Sequence, residues 1–311
     1  MVPLLDRSAV VDRLRRALAV AADRAGGWPY YAGKSSRIEP TGWALLALAE
    51  SSDGNAASWR RFAAPHLLWL ANAQRGDGLL VDFPGAPPNF TANGLAACVL
   101  AHLFVTSAFR GTTDARVPDL PRLLDALVAA KGVSVDAPDP RQDNTLQGWP
   151  WMPDTFSWLE PTCWCVLALK KAGAQVTGAS ARIQEAERLI LNRTCESGGW
   201  NFGNASVIGQ DLRPYVPTTA LALIALHDGG DVAEVARSAV WLREARLKEP
   251  SGMALALTAI WLRLAGSPAD DVDARLADDV DRAERVGNLQ VLAMMLYAMT
   301  AARHAARALR V

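Results

Sequence analysis

An excess of charge of either sign is missing from this chain of 311 residues, in which 32 Lys and Arg balance 32 Asp and Glu. With no basic block able to neutralise a row of phosphates, nucleic acid is not expected as a partner. Cysteine is scarce: Cys98, Cys163, Cys165 and Cys195 fall far below the density of a secreted disulfide scaffold, so buried free thiols are expected. Apolar stretches such as Met253 to Leu262 stop short of the roughly 18 residues of a membrane span, and membrane contact is expected to be peripheral at most. Met1 to Arg24 reads as an amphipathic helix carrying Asp6, Arg7, Asp12 and Arg13, not as a secretion signal, which makes the cytoplasm the expected location. Signals for strands are nearly absent.

What is present is repetition. Gly27-Trp28-Pro29-Tyr30 is followed by Glu39-Pro40-Thr41 and the apolar run Trp43 to Ala49. The same order returns as Gly148-Trp149-Pro150-Trp151, then Glu160-Pro161-Thr162 and Trp164 to Leu169. A looser copy reads Gly199-Trp200-Asn201-Phe202, then Pro217-Thr218 and Ala220 to Leu226. A unit of this size cannot bury its apolar face alone and must stack on its neighbours.

Two helical patterns alternate along the chain. Leu5 to Arg24, Ala57 to Gln74, Pro118 to Ala130, Ala179 to Arg193, Val232 to Ala245 and Asp270 to Arg285 are amphipathic and charged, as half-exposed helices are. Thr41 to Ala49, Thr91 to Leu103, Thr162 to Lys171, Thr218 to His227, Gly252 to Leu264 and Asn288 to Ala301 are apolar all round and need protein on every side. Six such pairs favour one all-α domain over residues 1–311, an α/α toroid with the charged helices outside. The segments leading into the first four inner helices are long, the last two short, and long structured loops are usually functional. A site is therefore expected at the loop-rich mouth and in an apolar cavity beneath it.

Glycine-tryptophan turns followed by an Ala-Leu-x-Ala-Leu helix resemble the repeats of the squalene-hopene cyclase and protein prenyltransferase superfamily over nearly the whole chain. The resemblance implies the toroid, a hydrophobic small-molecule partner such as an isoprenoid or lipid, and acid-initiated cyclisation or isomerisation. Class II cyclases of that family carry Asp-x-Asp-Asp before the inner helix. The proton-donor position falls on Glu39 and on Glu160, without the flanking aspartates. The family's prenyltransferases hold zinc with Asp, Cys and His, but no Asp-x-Cys pair precedes an inner helix here. Cys98 with His102 is expected to fill the core, and no metal or cofactor is expected.

Other readings of the same residues stay open. Glu-Pro-Thr also reads as a helix start, because proline suits the first turn and a carboxylate is favoured there. Asp154 and Asp211 are candidate partners for the glutamates in acid chemistry. The aspartates of 270–273 and 278–281 read as solvated. Tyr30, Tyr31, Trp151, Phe156, Trp158, Phe202 and Tyr215, with Arg213, are candidates for a substrate wall, since aromatic faces stabilise cations and stack on sugars. Alternatives to a cyclase are a noncatalytic toroid that binds lipid, peptide or protein, and a carbohydrate-active enzyme using paired carboxylates.

Overall fold

The computed structural model describes residues 7–51, 56–106, 116–136, 141–173, 176–207, 209–230, 232–301 and 305–311. The expected helix start at Leu5 and Asp6 lies outside the described residues. Among them run twelve helices: α1 (Arg7–Ala21), α2 (Ile38–Ser51), α3 (Ala56–Ala73), α4 (Phe90–Thr106), α5 (Leu120–Ala129), α6 (Leu159–Ala172), α7 (Ala179–Asn192), α8 (Val216–Ala225), α9 (Ala233–Ala245), α10 (Gly252–Leu264), α11 (Asp270–Val286) and α12 (Leu289–Thr300). A two-stranded antiparallel hairpin, β1 (Ser206–Val207) and β2 (Gln210–Asp211), interrupts the segment before α8, where no strand was expected.

The even-numbered helices form the inner ring. Each packs on the next from α2 to α12, and α12 packs on α2, so the ring is closed. The chain is an α/α toroid. Its inner helices are buried almost throughout, while α5, α7 and α11 bury one stripe each. No described helix is long and apolar enough to cross a membrane.

The repeated sequence is a latch between an outer helix, its turn and the next inner helix. The indole N–H of Trp28 donates to Leu18 O at 2.8 Å, that of Trp149 to Leu127 O at 2.8 Å and that of Trp200 to Ile190 O at 2.6 Å. Each acceptor lies in the last turn of α1, α5 or α7, where carbonyls lack an intrahelical donor. The backbone N–H of the same tryptophans donates to Thr41, Thr162 and Thr219 Oγ1 at 2.8, 3.0 and 2.9 Å. The third copy therefore registers on Thr219, one residue beyond the expected Thr218. Glycine precedes each tryptophan because there is no room for more: a Cβ on Gly148 would stand 2.3 Å from Thr162 Oγ1.

A second linkage runs around the ring. The first N–H of α4 donates to Trp151 O at 3.0 Å, that of α6 to Phe202 O at 2.8 Å and that of α12 to Tyr30 O at 2.9 Å. Each acceptor is two residues past a repeat tryptophan and belongs to the next unit. At α2 the acceptor is the Asp82 carboxylate, 2.8 Å from Ile38 N.

Of the outer aspartates, Asp270, Asp271, Asp278 and Asp281 are exposed as expected, and Asp273 is not. Asp273 is buried and takes two bonds from Arg263 at 2.6 and 2.5 Å, because α11 packs on α10 at that level. Asp271, Asp279 and Asp281 pair with Arg246, Arg282 and Arg13. At the ring end away from the loops, Lys171 Nζ donates to Arg307 O and Arg310 O at 3.3 and 3.0 Å, Arg307 holds Glu50, and Ala306, Ala308 and Leu309 are buried. His102 meets Glu50 there at 2.7 Å, and burial pushes the Cys98 thiol up to about 11. No cluster of three metal-ligating side chains occurs among the described residues.

Candidate functional site

The second residue of each inner helix lies at the loop-rich mouth, and around the ring these are Glu39, Thr91, Glu160, Pro217, Met253 and Gln290. The glutamates are not caps. Glu39 Oε2 accepts from Tyr30 O–H at 2.6 Å and Oε1 accepts from Gln290 Nε2 at 2.7 Å, so the carboxylate reaches across to α12 instead of to its own helix. The N-terminus of α6 likewise has no side-chain cap. Both glutamates do stand in the first turn of their helices, followed by Pro40 and Pro161, as the helix-start reading expects, while the first N–H of α2 is taken by Asp82.

Both glutamates keep part of their surface open to the mouth while protein surrounds most of each side chain. Burial raises the Glu39 pKa, opposed by the hydrogen bonds from Tyr30 and Gln290, and the Asp82 charge raises it further. Burial pushes Glu160 up to about 7, the negative charge of Glu39 adds to that, and a hydrogen bond from Trp151 opposes it. Two donors favour the ionised form of Glu39 and one that of Glu160, so the two carboxyls stand in unequal surroundings, and the charge of Glu39 adds to the upward shift of Glu160. Burial and the nearby carboxylates push the Tyr30 phenol far above its ordinary range, which leaves its O–H a permanent donor.

The candidate aromatic residues divide between this mouth and a side cavity. Tyr30 belongs to the mouth, and half-exposed Tyr31 sits at its rim beside Asn288. Trp151 stacks on Trp158 with centroids 4.9 Å apart and planes 12° apart, and Trp158 in turn walls a cavity of about 570 Å³ between the loops before α6 and α8. Phe156, Phe202, Arg213 and Tyr215 line the same cavity. Asp154 and Asp211 are elsewhere. Asp154 is exposed in left-handed backbone, φ 62°, and its charge is not among those acting on either glutamate. Asp211 is exposed on β2 and pairs with Arg141.

The ring axis beneath the mouth is filled. Trp43 of α2 meets Trp164 of α6 edge-on at 5.5 Å and Tyr297 of α12 at 6.1 Å, and all three are buried. Helices α2 and α6 are not neighbours, so the two indoles meet across the ring at the level where an apolar central cavity was expected. Sequence reasoning passed over Gln290, Asp82 and Thr91. The signal that could have found them is positional, since each lies at a mouth position set by the repeat.

No family model matches the chain, and no curated protein sequence does. Solved structures do. A protein from Actinoplanes matches with a TM-score of 0.60 at 17% identity, over 96% of this chain and 100% of that one. The type II terpene cyclase MstE from Scytonema, in complex with geranylgeranyl dihydroxybenzoate, matches with a TM-score of 0.60 at 15% identity, over 99% of this chain and 100% of that one. A β-1,3-1,4-glucanase from Paenibacillus matches with a TM-score of 0.57 at 12% identity, over 95% and 93%. At these identities the likeness is one of fold. It joins the toroid to terpene cyclases and to glycosidases alike, and the choice between them rests on the site.

Proposed function

We propose that the mouth is a general acid–base site that cleaves a glycosidic bond, with Glu160 as the acid and Glu39 as the second carboxylate. The observation that carries this reading is the unequal pair: Glu160, pushed up to about 7, still carries a proton in part of the molecules at neutral pH, and it feels the charge of Glu39, whose carboxylate takes hydrogen bonds from Tyr30 and Gln290. A carboxyl of that strength suits protonation of a leaving oxygen near neutrality. It is a weaker acid than an ordinary carboxyl, whereas protonating an alkene calls for a stronger one in a dry cavity. The mouth is open to water, and Trp43, Trp164 and Tyr297 occupy the axis where a folded isoprenoid would lie. The stacked Trp151 and Trp158 offer the flat apolar surface on which sugar rings rest. The isoprenoid reading keeps one observation in its favour, the apolar lining of the side cavity.

The test is reducing-end release from mixed-linkage β-glucan and from a panel of aryl glycosides, with farnesyl and geranylgeranyl substrates in parallel. Turnover that falls about 10²- to 10⁴-fold in both Glu160→Gln and Glu39→Gln is expected. No release from any glycoside, or release that survives both substitutions, overturns the proposal. Isoprenoid conversion lost in the same variants would transfer the two carboxyls to the cyclase reading.

A further inference from the structure

Six of the large apolar side chains that the described chain leaves exposed, Val133, Phe156, Phe202, Val207, Leu212 and Tyr215, surround the cavity between the loops before α6 and α8. Its volume of about 570 Å³ falls in the range of small-molecule sites. Gln142 lines it at 7% exposure, and its Oε1 is a buried acceptor with no donor. Buried acceptors are almost always paired, and a small turn of this cavity-lining amide would present Oε1 to a donor brought by a ligand. The other end of the same amide is satisfied, with Nε2 donating to Asn144 Oδ1 at 3.2 Å. Arg141 ties the rim by donating to Asp211 and, at 3.0 Å, to Gly209 O, which holds the β1–β2 hairpin against the loop before α6.

We infer that this cavity binds the apolar part of an amphipathic small molecule, an alkyl or aryl group carrying a hydroxyl or amide N–H that donates to Gln142 Oε1. The inference rests on the proposed function only in assigning the reacting end of the same molecule to Glu160, from which the cavity is separated by the stacked Trp151 and Trp158. Polar walls alone would fit a free sugar, but six exposed apolar side chains, three of them aliphatic, are covered better by an alkyl or aryl group. Burial of alkyl chain does use them, by about 0.8 kcal/mol per methylene.

Calorimetric titration with hexanol, octanol and decanol tests the binding without any turnover. Affinity is expected to rise about two- to fourfold per methylene. Nonanol and methyl octyl ether have the same number of heavy atoms, and only the alcohol donates, so nonanol is expected to bind at least about fivefold more tightly. Gln142→Leu should erase that difference while keeping the chain-length series, and Leu212→Asp should weaken the whole series. Absence of binding, affinity independent of chain length, or equal affinity for alcohol and ether in the unmodified protein overturns the inference. Glu160→Gln should bind the alcohols unchanged. Alcohol binding without glycoside cleavage therefore defeats the proposed function alone, and cleavage without alcohol binding defeats this inference alone.

Discussion

Tyr30 serves Glu39 and the ring closure at once: its hydroxyl donates to Glu39 Oε2 at 2.6 Å, and its backbone carbonyl accepts the first N–H of α12 at 2.9 Å. The side chain that favours the ionised carboxylate is therefore placed by the junction between the last unit and the first. Gln290, the other donor to Glu39, is the next residue of α12 after the one that makes that junction. Geometry at the site is thus tied to closure.

Tyr30→Phe removes one of the two hydrogen bonds that lower the Glu39 pKa, so that pKa should rise. In the proposed mechanism the acidic limb of the pH–rate profile then moves to higher pH and kcat falls by about tenfold, while the fold is kept. An unmoved acidic limb would separate Tyr30 from the chemistry of Glu39.

Glu160 links the site to stability. The folded protein holds this proton up to about pH 7, whereas the unfolded chain releases it near the ordinary carboxyl value of 4.5. Between those values the unfolded state binds fewer protons, so stability falls as pH rises through that window and is fully present below it. Glu160→Gln should remove this slope and unfold at higher denaturant concentration at pH 8, by on the order of 1–3 kcal/mol. Chemical denaturation at pH 5 and pH 8 reads the difference. A variant less stable than the parent at pH 8 would contradict the assigned burial cost.

His66 gives the opposite slope. Its Nδ1 accepts from Gly27 N–H at 2.9 Å, its ring packs on Trp28 with centroids 4.1 Å apart, and burial lowers its pKa to about 4. The unfolded chain takes up a proton near pH 6.5, so this contribution is present above that value and is lost as pH falls through about 4. His66→Asn retains an acceptor for Gly27 but cannot titrate. It should be less stable at pH 7 through lost packing and should lose less on acidification to pH 4.5 than the parent, as followed by thermal unfolding.

The latches can be cut one at a time. Thr162→Val leaves the buried N–H of Trp149 without its acceptor and should cost about 1–3 kcal/mol in urea denaturation. Gly148→Ala should cost at least as much, since its Cβ would lie 2.3 Å from Thr162 Oγ1. The double variant Thr162→Val, Gly148→Ala should cost at least as much as Gly148→Ala alone and less than the sum of the two, because valine puts a methyl where Oγ1 stood and the clash already breaks the hydrogen bond in Gly148→Ala.

The latches also mark how far the sequence could be read. Trp28, Trp149 and Trp200 announce the repeat because each is a rare residue after a glycine, and the inner helices announce themselves by having no polar face. The second unit hides because it makes only the backbone half of the latch, and from ordinary residues, with Asn93 Oδ1 accepting from Leu80 N–H at 2.7 Å. Glu39 was visible as a position but not as a role, since its partner Gln290 is 251 residues away and nothing local distinguishes a cap from a reaching carboxylate. The filled axis was hidden for the same reason. Trp43 and Trp164 read as core in either fold, and only ring geometry decides that they meet each other and not a ligand.

Closure has a mechanical meaning. In an open stack the outermost units can peel away by breaking a single seam, but in this ring every unit is held by a seam on each side, including the one where α12 meets α2. No unit is terminal, so none can fray alone, and the mouth that carries Glu39 and Glu160 should stay assembled until the whole hoop opens.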